Sequence, residues 1–176
     1  MKLFRTSFLI LTFWLAAIDA TAVTSVFSPG KLQPLKGAVA AGDFILKDLN
    51  GKPARFSDFQ GQVVLLSFWA AWCPVCLKEM PTIEDLYQVY REQGLVVIAV
   101  SLDTTPANEM RAIIEKLKLT FPVLQDRDGL VGRLYSIPGV PTSYLIDTQG
   151  KIVYRVVGKY DWSDQEARIA VEKLLP

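Results

Sequence analysis

Histidine is absent from the 176-residue chain. That excludes His-based triads, imidazole metal sites and imidazole acid–base chemistry together. Cysteine is scarce: there are two, Cys73 and Cys76. Two thiols without a histidine do not supply the roughly four ligands of a structural zinc site, so no metal is expected. Neither sign of charge dominates, with 19 Lys and Arg against 18 Asp and Glu. The basic excess of a nucleic-acid binder is therefore missing. The apolar run from Phe8 to Ile18 falls short of the about 20 residues that a bilayer-spanning helix needs. What is present is ordinary globular composition, 51% hydrophobic and 21% charged, which argues against intrinsic disorder.

The N-terminus has three parts. Lys2 and Arg5 precede the Phe8–Ile18 run, and Ala20-Thr21-Ala22 follows as a small-x-small exit. This is the layout of a secretory signal. Residues 1–22 are expected to be a signal peptide or, alternatively, a retained N-terminal anchor. No cysteine near the exit would take a lipid. The protein is thus expected outside the cytoplasm, in the periplasm or an equivalent compartment, soluble after cleavage or tethered. Removing residues 1–22 takes away Lys2, Arg5 and Asp19 and leaves a chain that is neutral by formal count. No strong electrostatic steering follows from that. Disulfides form and persist in such compartments. Residues 23–41 contain Pro29, Gly30, Pro34 and Gly37 with little periodicity. They read as a linker or extended arm leading to one domain over residues 42–176.

Within that domain, Asp43 to Phe59 reads as a strand, an Asn50-Gly51 turn and a second short strand. Gln62 to Trp69 has the unbroken apolar character of a strand buried on both faces. From Pro74 to Gln93 the period changes. Met80, Ile83, Leu86, Tyr87 and Tyr90 recur at helical steps, Pro81 should kink the helix, and Gly94 ends it. Leu95–Leu102 is a further strand and Pro106–Lys118 a helix. Phe121–Leu124 reads as a strand and Gly129–Tyr135 as a short helix. Strands Thr142–Ile146 and Ile152–Val157 flank a turn begun by Asp147. Ser163 and Glu166 form a capping-box pattern for a last helix through Leu175. The order β-β-β-α-β-α-β-α-β-β-α predicts an α/β fold with a central mixed sheet covered by helices.

Trp72-Cys73-Pro74-Val75-Cys76 carries the chemistry. Cys73 falls where a strand segment gives way to a helix. Unpaired backbone N–H groups and the helix dipole favour an anion there, so a thiolate is stabilised relative to a free thiol of pKa about 8.5. Cys76 follows one turn later, close enough to attack a mixed disulfide on Cys73. Pro74 at the first helical position forfeits no hydrogen bond. A purely structural bridge across so short a loop would gain little chain-entropy stabilisation.

Phe68-Trp69-Ala70-Ala71-Trp72-Cys73-Pro74-Val75-Cys76 resembles the active-site stretch of the thioredoxin superfamily. Ser136-Ile137-Pro138-Gly139-Val140-Pro141-Thr142 resembles its second signature. Phe44–Gly51, Gly61–Leu66 and Lys78-Glu79-Met80-Pro81 further resemble the exported TlpA/ResA/DsbE-like thiol–disulfide oxidoreductases. The likeness covers about residues 42 to 175.

The resemblance implies a thioredoxin-like fold with an N-terminal β-hairpin extension. It implies Cys73 as the attacking thiolate, Cys76 as the resolving thiol and Pro141 in cis. Val140 would pair its backbone with a substrate strand, and Trp69 and Trp72 would flank the dithiol, with Trp72, Pro74 and Val75 meeting the substrate. Glu79 would be the acidic residue beside the pair, raising thiol proton affinity or relaying a proton. Glu79 and Trp69 have plainer readings too, as a solvated helix residue and as core. Thioredoxin's buried aspartate is replaced here by Ser67, leaving Glu79 as the nearby carboxylate. The expected partners are a disulfide-containing protein substrate and a membrane thiol electron donor. The expected state is a monomer, with no nucleic acid and no cofactor beyond the Cys73–Cys76 disulfide. The direction is that of a reductant, in cytochrome c maturation or disulfide repair. Two alternatives are a thioredoxin-fold peroxidase, against which Ala70 stands where Thr-x-x-Cys requires threonine, and a copper-carrying module, against which the absence of histidine counts.

Overall fold

Alternation fails in the segment Val63–Trp69 because both of its faces are covered. In the computed structural model, which describes residues 29–176, all seven of these residues are buried. The strands and helices are β1 (Gln33–Ala40), β2 (Ile45–Asp48), β3 (Pro53–Arg55), β4 (Val63–Trp69), α1 (Pro74–Tyr90), β5 (Leu95–Ser101), α2 (Ala107–Leu117), β6 (Val123–Gln125), α3 (Leu130–Leu134), β7 (Thr142–Ile146), β8 (Lys151–Val157) and α4 (Gln165–Glu172). The expected signal peptide or anchor, and residues 23–28 of the expected linker, lie outside the described residues.

The strands form one mixed sheet in the order β1-β8-β7-β4-β5-β6-β2-β3. At its centre β4 runs parallel to β5 and antiparallel to β7. Odd-numbered residues of β4 (Val63, Leu65, Trp69) join the apolar core that includes Met80, Ile83 and Leu86 of α1, Met110 of α2 and Ala167 and Val171 of α4. Even-numbered residues (Val64, Leu66, Phe68) join the opposite core, with Phe44, Phe56, Val131 and Tyr135. A period of two across a doubly covered strand produces this division. The fold is therefore the expected α/β architecture, a mixed sheet flanked by helices. The β2–β3 hairpin extends the sheet through antiparallel pairing of β2 with β6.

Residues 33–40, within the stretch read as a linker or arm, form β1 and pair with the outer edge of β8. The register shifts between Pro34 and Val39, where Gly37 has φ +85°. The lack of alternation in the sequence follows from that irregularity and from an edge position.

The last helix starts differently from the expected Ser163 capping box. The cap is Asp164, whose carboxylate accepts the Ala167 N–H at 2.8 Å. Ser163 Oγ instead donates to Asp161 at 2.6 Å. The helix ends at Glu172, ahead of the expected Leu175. Asp147 does begin the β7–β8 turn, accepting the N–H groups of Gln149 and Lys151 at 2.9 Å each.

Candidate active site

β4 and β5 are parallel and in register to their last pair, Trp69 with Ser101. The segments leaving their carboxyl ends therefore emerge side by side, the usual place for a site in a sheet of this kind. One segment is Ala70-Ala71-Trp72-Cys73 and the other Leu102-Asp103-Thr104-Thr105. They are tied together by the Asp103 carboxylate, which accepts the Ala71 N–H at 2.6 Å and the Thr105 N–H at 2.9 Å. Leu102 N–H also donates to the Trp69 carbonyl at 2.9 Å.

The turn closes with Cys73 N–H donating to the Ala70 carbonyl at 3.1 Å. Cys73 then caps α1 in an extended conformation, and its Sγ accepts the Cys76 N–H at 3.2 Å. The sulfur so occupies the place of a capping oxygen, among otherwise unpaired amide groups. Pro74 takes the first turn, where its missing N–H is not needed. Cys73 and Cys76 are joined as a disulfide with Cα atoms 5.3 Å apart.

Access to the two sulfurs is unequal. Cys76 is fully enclosed and Cys73 keeps 6% exposure. In the disulfide form only a small face of Cys73, the expected attacking sulfur, is open, because it packs into the core that holds Trp69 and Trp162. Trp72, Pro74 and Val75 stand around it as an exposed rim, Trp72 at 68%. Trp69 is core, with no exposure, and its indole N–H is buried without a partner.

The second signature loop arrives along β7. Phe68 pairs with Thr142, so Pro141 and Val140 lie just beyond the last pair, beside Trp69 and Ala70. The Val140–Pro141 peptide is cis. Thr142 Oγ1 donates to the Gly139 carbonyl at 2.7 Å and the Pro141 carbonyl accepts Gly158 N–H at 2.9 Å, bracing the loop on both sides. Val140 is half-buried, and its backbone makes no hydrogen bond to another described residue.

Glu79 is not a solvated helix residue. It is 1% exposed, one turn past Cys76 on the buried face of α1. Its carboxylate accepts the Trp162 indole N–H at 2.9 Å and the Tyr160 backbone N–H at 3.3 Å. Burial pushes its pKa up to about 7; the bonds from Trp162 and Tyr160, and the charge of Lys159, hold it from rising further. Ser67, at the position of thioredoxin's buried acid, is itself buried and accepts a hydrogen bond from Ser143 at 2.9 Å. A carboxylate near neutral pKa, one turn from an enclosed sulfur, can take up or release a proton there.

Asp103, Tyr160 and Trp162 are the site residues that sequence reasoning did not single out. Asp103 carried a signal, an acid just past the carboxyl end of the strand following the dithiol strand. Trp162 carried none, since its contact with Glu79 spans 83 positions. Among the described residues no group of three or more Cys, Asp or Glu is gathered as a metal site, and no helix is long and apolar enough to cross a membrane.

Comparison with known proteins gives consistent results. Residues 38–155 match the AhpC/TSA family. The chain is 37% identical over 164 residues to the thiol-disulfide oxidoreductase ResA of Geobacillus kaustophilus, covering 91% of this chain and 90% of that protein. Among solved structures, a Chlorobium tepidum protein assigned as a thiol:disulfide interchange protein DsbE superposes with a TM-score of 0.67 at 34% identity, over 80% of this chain and 95% of that one. The peroxidoxin BcpB of Mycobacterium tuberculosis superposes with a TM-score of 0.68 at 24% identity, over 81% of this chain and 99% of that one, a likeness of fold alone.

Proposed function

We propose, for a chain that belongs to the AhpC/TSA family and is a thiol–disulfide oxidoreductase, that it acts outside the cytoplasm as a reductant of protein disulfides. The observation that carries this reading is the placement of the Cys73–Cys76 disulfide at the start of α1, beside the Val140–Pro141 loop and one turn before a buried Glu79. The reducing direction is what the resemblance to TlpA/ResA/DsbE-like proteins implies, and the likeness to a ResA and to a DsbE protein supports that grouping. Support for export comes from the Lys2–Ala22 pattern.

In the cycle, the reduced Cys73 sulfur is ionised among the α1 amide groups and attacks a substrate disulfide. A Cys73–substrate bond forms, and the other substrate sulfur leaves as a thiolate that takes a proton. Cys76 then loses its proton to Glu79 and attacks the Cys73 sulfur. The mixed disulfide breaks, the substrate's second thiol is released, and Cys73–Cys76 is left oxidised. Two electrons and two protons have passed from the dithiol to the substrate. A membrane thiol donor restores the dithiol by the reverse exchange. Thiolate exchange needs no metal and no organic cofactor.

Trp72, Pro74 and Val75 offer the apolar surface on which a substrate segment rests, and the unengaged Val140 backbone pairs with it. The substrate class is a disulfide-bearing polypeptide, such as an apocytochrome c or a wrongly paired exported protein. Insulin reduction with a thiol donor tests the activity. Cys73→Ser should abolish turnover, and Cys76→Ser should accumulate a mixed disulfide visible by non-reducing electrophoresis. Full turnover in Cys73→Ser would remove the reading. Loss of peroxide faster than loss of insulin disulfide would favour the peroxidase instead.

A further inference from the structure

We propose that Trp162 is a positioning residue of the redox site: its indole N–H holds the Glu79 carboxylate on the Cys76 side of α1 and sets how tightly that carboxylate keeps its proton. The inference rests on the reading that Glu79 receives the Cys76 proton, and it assigns the residue that tunes this step.

Residues 160–162, between β8 and α4, form a strap across α1. Trp162 is fully enclosed, and both of its N–H groups are spent on α1. The indole N–H reaches Glu79 Oε1 at 2.9 Å, and the backbone N–H reaches Thr82 Oγ1 at 3.0 Å. Thr82 in turn donates to the Glu79 carbonyl at 2.8 Å, so the strap grips Glu79 through its side chain and through its backbone. The Tyr160 ring braces the indole edge-on, with centroids 5.1 Å apart at 75°. Its hydroxyl is anchored to Asp164 at 2.9 Å and Glu166 at 3.3 Å at the head of α4. A tryptophan serving as core alone could place its N–H on any carbonyl. This one meets a buried carboxylate on the redox helix.

The groups bearing on Glu79 are few. Lys159 acts from a distance and forms no ion pair with it within 4.0 Å. The sulfurs of Cys76 and Cys73, joined in the disulfide, lie at the start of α1. The Tyr160 phenol is turned away toward Asp164 and Glu166. Two neutral N–H donors are therefore what favours the ionised carboxylate against burial. Removing one of them weakens the ionised form more than the neutral one, because the bond to a carboxylate is the stronger. The proton of Cys76 then finds its acceptor already occupied over a wider range of pH.

The probe is 5,5′-dithiobis(2-nitrobenzoate) mixed with the reduced full-length protein in a stopped-flow instrument. The first thionitrobenzoate released reports attack by Cys73, and the second reports resolution by Cys76. For the native chain the second phase should rise with pH through an inflection near 7. Trp162→Phe keeps the ring and removes the donor. Its inflection should move up by about one pH unit, slowing the second phase about fivefold at pH 7 and leaving it nearly unchanged at high pH. Thr82→Val, which frees the strap's backbone anchor, should move it in the same direction by less, and stands in if Trp162→Phe does not fold. Glu79→Gln should remove the inflection, and Trp162→Phe added to Glu79→Gln should then shift nothing further. An unmoved inflection in folded Trp162→Phe, or a shift that persists in the Glu79→Gln background, overturns the role of Trp162 while leaving that of Glu79 intact. An inflection that survives Glu79→Gln overturns the underlying reading of Glu79 instead.

Discussion

Glu79→Gln in the oxidised protein gives a direct measure of what a buried carboxylate costs this fold. The disulfide is intact in that state, so no thiol titrates. Burial raises the Glu79 pKa from an ordinary 4.5 to about 7. The unfolded chain therefore loses its proton near pH 4.5 while the native chain keeps it, and stability falls as pH rises through that window. At about 1.4 kcal/mol per pH unit, the native protein should lose about 3 kcal/mol from this one group between pH 4.5 and pH 7. Above pH 7 the contribution is fully lost and the curve flattens. Glu79 is 1% exposed, so solvent screening does little to reduce the figure. The assay is urea unfolding of both proteins at half-unit steps from pH 4.5 to pH 8, followed by tryptophan fluorescence. Other titrating groups cancel in the difference between the variants. Glutamine retains an oxygen for the Trp162 N–H but cannot ionise. The variant should thus be the less stable protein at pH 4.5, where its amide meets the Tyr160 N–H without a lone pair to offer, and should gain on the native chain steadily up to pH 7. Parallel stability curves for the two proteins would refute the assignment of a neutral, buried Glu79 at low pH.

Two further outcomes follow from carboxylates that hold backbone N–H groups. Asp103→Ala strips the acceptor from the Ala71 and Thr105 N–H groups. It should cost about 2 kcal/mol in urea unfolding and should slow alkylation of reduced Cys73 by iodoacetamide, because the turn leading into Cys73 loses its side-chain tie to the segment after β5 and keeps only the Leu102–Trp69 backbone bond; an unchanged rate would show that the side-chain tie is not needed to place the sulfur. At the last helix, Asp164→Ala should lower stability by about 1 kcal/mol, while Ser163→Ala should stay within about 0.5 kcal/mol of the native chain. The reverse ranking in thermal melts would restore Ser163 as the cap.

The cap illustrates where local pattern runs out. Ser163-x-x-Glu166 has the capping-box spacing, yet the neighbouring Asp164 has an equally short side chain one residue closer to the helix, and it takes the Ala167 N–H. Spacing alone does not choose between adjacent candidates. At β1 the register shift between Pro34 and Val39 and the edge position remove the alternation by which a strand is read. At Glu79 the sequence leaves open a solvated residue beside Lys78 and a buried one beside the dithiol, because the helical stripe fixes a face without saying what covers it. The partner that covers it, Trp162, comes from the far end of the chain.

Those limits divide the molecule in a physical way. Effects acting within a few residues were fixed by the chain as written: the apolar runs of β4 and β5, the stripe of α1, the Asn50-Gly51 and Asp147 turns, and a cysteine capping a helix one turn ahead of a second. Each follows from backbone sterics and the periods of helix and strand, which neighbouring side chains are enough to set. Effects that depend on who excludes the water were decided by tertiary structure. The near-complete covering of Cys73, the raised proton affinity of Glu79 and the hold of Asp103 on the dithiol turn all arise where distant segments meet. The cost of desolvating a charge, and the bonds that offset it, exist only once those segments are in contact.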